Sequence, residues 1–135
     1  MGRFLLVCIG GALGSGARYL VAVWAASALP IAYPMGTTIV NVAGSFLLAL
    51  VTDLSLRFDV VSPDLRLFLT TGICGGFTTY STFNWEAYRL VEDRAFALAA
   101  TYVLGTLVAC GVAAILGVLA SRGFMGVAGA FLGRG

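Results

Sequence analysis

Charged residues interrupt this chain at few places, and between them run four long stretches dominated by apolar side chains: Phe4 to Ala28, Met35 to Thr52, Leu67 to Tyr88 and Ala95 to Ser121. A helix needs about 20 mostly apolar residues to cross a bilayer, so each stretch predicts a transmembrane helix. The linker Leu29 to Pro34 contains Pro30 and Pro34, which lack the amide donor that a continuing helix requires, and it predicts a helical hairpin of the first two spans. Asp53, Arg57, Asp59, Asp64 and Arg66 surround the second connection. Within it, Ser62-Pro63-Asp64 has the cap, first-turn proline and early acid of a helix start, which places the third helix from near Pro63. Arg89, Glu92, Asp93 and Arg94 mark the third connection. The pattern predicts one all-α membrane domain of four helices over residues 1–121, followed by a short glycine-rich tail over 122–135 that frays.

Composition agrees. Of 135 residues 60% are hydrophobic and 10% charged, and the mean hydropathy of +1.00 is more apolar surface than a water-soluble fold can hide. All eight basic residues are arginine, and a net charge of +2 is too small for a nucleic-acid footprint. Histidine is absent, which removes the commonest general base and metal ligand. Cys8, Cys74 and Cys110 are too far apart for a zinc or CxxC pattern and read as small buried residues. Four spans put both termini on one side, with five arginines there against two opposite, a weak bias toward cytoplasmic termini. Arg3, the run Phe4 to Ile9 and Ala26-Ser27-Ala28 imitate a signal peptide, but Arg18 interrupts the apolar region and the segment reads as a retained helix.

Polar groups inside the spans carry the candidate chemistry. Gly10-x-x-x-Gly14, Gly11-x-x-x-Ser15 and Gly72-x-x-x-Gly76 are faces on which helices approach closely. Arg18 lies a little past the middle of its span, where arginine costs about 2.5 to 3.5 kcal/mol on insertion scales; it either snorkels or faces a water-filled vestibule. Thr37, Asn41 and Ser45 share one helix face. That stripe either bonds neighbouring helices or presents the Asn41 donors to an anion. Gly72 to Phe83 holds two adjacent glycines and four serines and threonines, poor material for an unbroken helix, and predicts a break at Gly75 to Thr79. A break frees backbone carbonyls, the oxygen ligands that a hard cation such as sodium selects. Tyr80 and Phe83 follow one turn apart, with positive ring edges suited to an anion or, alternatively, to packing. Tyr102, Thr106 and Cys110 form a further helical track that either joins helices or extends a polar path.

Three segments, Gly10 to Tyr19, Gly36 to Phe46, and Gly72 to Phe83 followed by Glu86, resemble the CrcB/Fluc family of small fluoride channels, and the resemblance runs from Arg3 to about Ser121. It implies a multi-pass protein of the bacterial cytoplasmic (inner) membrane that pairs with an identical, inverted copy as an antiparallel dual-topology homodimer carrying two fluoride pathways. It also implies a structural sodium ion, not transported, held by the backbone carbonyls of Gly75 and Thr78 from both subunits. The fluoride path it implies uses Asn41, Tyr80, Phe83, Ser81, Thr82, Thr37, Tyr102 and Thr106, with Arg18 in a vestibule. Tyr80 stands where family members commonly carry phenylalanine, which keeps the ring edge and adds a hydroxyl.

A small multidrug-type, proton-coupled four-helix exporter is the main rival, and it needs a titratable carboxylate in mid-membrane. Asp53, Glu86, Glu92 and Asp93 are placed at or near span ends. A noncatalytic assembly subunit would leave Asn41 and the broken third helix with packing roles only. An enzyme lacks a nucleophile-base pair here.

Overall fold

The computed structural model describes residues 1–29, 32–58 and 60–132, with residues 127–132 as backbone only. Pro30 and Asp59, named above, and Arg134, one of the five arginines counted on the side of the termini, lie outside the described residues. The described chain is all-helical: α1 (Gly2–Ala28), α2 (Met35–Phe58), α3 (Pro63–Leu67), a π-helix (Phe68–Cys74), α4 (Gly75–Phe77), α5 (Tyr80–Glu92) and α6 (Phe96–Leu132). Three helices, Gly2–Ala28, Met35–Phe58 and Phe96–Gly126, are long and apolar enough to cross a membrane. Large apolar side chains such as Leu20, Leu107 and Ile115 face outward, an arrangement that lipid tolerates and water does not. The protein is a multi-pass membrane protein.

The predicted third span is a chain of short pieces. Ser62 caps α3, its Oγ accepting from the Leu65 amide at 3.3 Å, with Pro63 in the first turn. The backbone then widens into seven residues of π-helix, tightens for one α turn, and is extended at Thr78 (φ −78°, ψ 157°) and Thr79 (φ −151°, ψ 118°) before α5 begins. The interruption therefore falls at the last two residues of the expected Gly75 to Thr79 stretch, and Gly75–Phe77 is still helical.

Two boundaries differ from expectation. α2 does not stop at Thr52 but continues to Phe58, so Asp53 and Arg57 sit in its final turns as an i,i+4 ion pair at 2.7 Å. Asp53 is tolerated there because Ser121 Oγ donates to its second oxygen and Arg122 stands 4.0 Å away. The tail over 122–135 does not fray at its start, since α6 runs on to Leu132. Glycines at 123 and 126 weaken a helix without breaking it, and no proline intervenes.

Small residues set the helix spacing. A Cβ added at Gly10 would lie 2.9 Å from Gly72 Cα, one at Gly14 would collide with Ile73 O, and one at Gly76 with Gly11 O, so α1 packs against the π-helix and α4 backbone to backbone. Gly117 lets α6 approach Phe46 and Leu50 of α2 in the same way. At the end holding the N-terminus, Arg3 Nε donates to Asp64 at 2.8 Å. α5 ends in a reversal where the Arg94 amide donates to Val91 O and the Ala95 amide to Leu90 O, with Arg94 at φ 58°.

Candidate functional site

A break in a helix strands backbone groups, and the structure shows where several of them go. The Thr79 amide donates to Asn41 Oδ1 at 2.8 Å, and Asn41 Nδ2 donates back to Thr79 O at 3.0 Å. Ser45, the next polar residue on that face, donates to the Asn41 carbonyl at 2.7 Å and so stays on its own helix. Thr79 Oγ1 caps α5 by accepting from the Thr82 amide at 3.3 Å, and donates to Thr82 Oγ1 at 2.9 Å. On the other flank, Gly76 O accepts from Arg18 Nε at 3.2 Å and Ser15 Oγ at 3.4 Å. The carbonyls of Gly75 and Thr78 find no donor among the described residues, because the amides four residues on, Thr79 and Thr82, are bonded to Asn41 and Thr79 side chains. Two uncharged, unclaimed peptide oxygens on adjoining turns are a donor set that a hard monovalent cation accepts.

Beside the break lies a cavity of about 460 Å³. Asn41, Gly75, Thr78, Tyr80, Phe83 and Thr106 line it, with Ser45, Cys74 and Cys110 among the remaining lining residues. Asn41 has two N–H donors and spends one of them on Thr79, and the second has no acceptor among the described residues. The Tyr80 and Phe83 rings stack with centroids 6.0 Å apart and planes 29° apart. Phe83 leans on Tyr102 at 5.0 Å, and Tyr102 meets Tyr33 edge-on at 5.4 Å and 87°. These four rings form a column from the loop after α1 to the cavity.

Thr37 and Tyr102 are brought together away from the cavity lining, on Glu86: Thr37 Oγ1 donates to Oε1 at 2.9 Å and the Tyr102 hydroxyl to Oε2 at 2.7 Å. Tyr102 is fully buried. Glu86 is thus a partly buried hub, not a solvated residue at a span end. Thr106 Oγ1 lies 3.3 Å from Thr38 Oγ1, which bridges α6 to α2. Ser81 is exposed, with its Oγ 3.4 Å from Thr79 Oγ1, and Thr82 is held by the same cap. Arg18 is half-buried on the α1 side of the break.

Sequence reasoning missed three residues here. Thr79 had a signal, a hydroxyl three positions before Thr82 at a helix start. Glu86 lies three residues after Phe83, on the same helix face, and its role depends on Thr37 and Tyr102 from other helices. Ser15 was noted only for its size.

Residues 5–118 match the family described as CrcB-like protein, Camphor Resistance (CrcB). Similar proteins include the fluoride-specific ion channel FluC of Anaeromyxobacter sp. (strain K), 56% identical over 126 residues that cover 93% of this chain and 100% of that protein. The protein of the same name from Anaeromyxobacter dehalogenans (strain 2CP-1 / ATCC BAA-258) is 54% identical with the same coverage. That from Chlorobium chlorochromatii (strain CaD3) is 43% identical over 92% of this chain and 95% of that protein. With nearly its whole length matched in this way, the chain belongs to the CrcB family.

Proposed function

We propose that this chain is a subunit of a fluoride-specific ion channel that passively exports fluoride across the bacterial inner membrane. The observation that carries the reading is the Asn41–Thr79 clamp, which holds a helix break open against the cavity that Asn41, Tyr80 and Phe83 all line. Fluoride holds its water tightly, so entry requires several donors and positive ring edges to replace that water together. Asn41, Thr106 and the two rings supply them on one cavity wall. A larger halide loses its water more easily but fits the narrow contact poorly. An inside-negative potential of 100 mV drives a monovalent anion outward by about 2.3 kcal/mol, so the path needs no ATP.

The interrupted segment Pro63 to Glu92, third in chain order, adds a membrane crossing to the three long helices and makes four, and two copies assemble antiparallel, each completing the other's exposed cavity. Tyr80 is 75% exposed in a single subunit, which suits a position that a second copy covers. Gly75 and Thr78 carbonyls from both copies would hold a structural sodium ion, which would neutralise the negative ends of two broken helices. Ser81, Thr82, Thr37 and Tyr102 continue the polar route, and Arg18 faces its vestibule.

The test is efflux from liposomes containing the purified protein under a potassium-driven voltage. Fluoride leaves rapidly and chloride is retained; equal or absent flux of both ions overturns the assignment.

A further inference from the structure

An α-helix running unbroken through residues 75–82 would pair Gly75 O with the Thr79 amide, Gly76 O with the Tyr80 amide and Thr78 O with the Thr82 amide. In the structure a side chain intercepts one member of each pair. Asn41 Oδ1 takes the Thr79 amide and Thr79 Oγ1 takes the Thr82 amide. The third interception comes from α1, where Arg18 Nε and Ser15 Oγ occupy Gly76 O. Arg18 is the only charged group in this set, and a charged donor makes a stronger bond than a neutral one. It also sits at the carbonyl end of a helical run, where positive charge is favoured. Glycine contacts make this reach possible: a Cβ on Gly76 would collide with Gly11 O, so α1 lies directly against the strand of carbonyls it serves.

We infer that Arg18 is a positioning residue that keeps the third segment broken by competing with the Tyr80 amide for Gly76 O. Without that charged competitor only the longer, neutral Ser15 bond is left on Gly76 O, and the helical bond to Tyr80 N–H is the stronger way to satisfy it. Forming it pulls Thr78 and Thr79 from extended into helical geometry, draws Thr79 off Asn41, and moves Tyr80 and Phe83 relative to the cavity. This role is distinct from that of a vestibule charge, because it depends on the N–H donated to one peptide oxygen. It rests on the channel reading only for its effect on flux, not for its effect on the backbone.

The experiment uses the full-length protein in liposomes, labelled for solid-state NMR at Thr78 and Thr79, with fluoride efflux measured on the same samples. In the unsubstituted protein both threonines show extended carbon shifts. Arg18→Met, which keeps length and removes the donor, moves both to helical shifts and lowers flux at least tenfold. Arg18→Gln, whose amide is too short to reach, does the same and stands in if the methionine variant does not fold. Arg18→Lys keeps a charged donor, retains extended shifts and recovers a substantial part of the flux. Extended shifts in both the methionine and glutamine variants overturn the inference, whatever the flux. An unsubstituted protein that conducts no fluoride, yet shows the expected change of shifts on substitution, overturns the channel reading and supports this one.

Discussion

Asn41 grips Thr79 by both edges of its backbone, accepting from the amide at 2.8 Å and donating to the carbonyl at 3.0 Å. One carboxamide on α2 therefore replaces a neighbouring strand for a single extended residue, and few other side chains present a donor and an acceptor at that spacing.

Asn41→Asp keeps the shape and loses the donor. The carboxylate would face Thr79 O, and its charge would meet any anion in the cavity. Fluoride efflux is expected to fall at least tenfold, and the thermal midpoint in detergent to fall with a loss of about 1–3 kcal/mol. Flux at the unsubstituted rate would remove Asn41 from the path.

Phe83→Ile separates the ring's electrostatics from its bulk. An aliphatic side chain still fills most of the space beside Tyr102 and keeps the site apolar. The aromatic quadrupole that Phe83 brings to the cavity lining is gone. The expected outcome is an unchanged elution volume on size exclusion with fluoride flux abolished; normal flux would assign Phe83 to packing alone.

Two glycines two residues apart, on different faces of α1, make a matched pair. A Cβ at Gly14 collides with Ile73 O, whereas one at Gly16 meets nothing within 4 Å. Gly14→Ala should force α1 off the π-helix and leave little folded protein on detergent extraction. Gly16→Ala should fold at least as well as the parent, since alanine gains about 1 kcal/mol over glycine in a helix. Equal yields of the two variants would contradict the packing described.

Arg94 occupies a left-handed position, φ 58°, that glycine fills at no steric cost. Arg94→Gly is expected to raise stability by about 1 kcal/mol in a denaturant titration. The Ala95 amide bond to Leu90 O stays in place. A loss of stability would mean that the arginine side chain contributes more than its backbone costs.

Much of the architecture was legible because lipid imposes simple rules. Proline and charge marked the first and third connections, and the Ser62 cap lay where its motif placed it. The break was legible from glycine and hydroxyl density between Gly72 and Thr82, and it falls within the stretch so marked. The π-helix was not, because i→i+5 pairing has no composition of its own, and its Gly72 and Ile73 backbone lies against Gly10 and Gly14 of α1, a contact only the fold reveals. Asp53 was misplaced because charge normally signals a loop, and Ser121 and Arg122, distant in sequence, reveal why it can stay in a helix. Asn41 and Tyr80 were identifiable as residue types, whereas the Glu86 hub requires Thr37 and Tyr102 to be known as neighbours.

The aromatic column that reaches the cavity at Phe83 starts at Tyr33, in the turn between the first two helices. Surface turns usually absorb insertions at small cost. Here an added residue before Pro34 would displace the bottom ring of a stack, and each ring rests on the next. The segment that sequence comparison would treat as spare connecting thread is the footing on which the innermost ring stands.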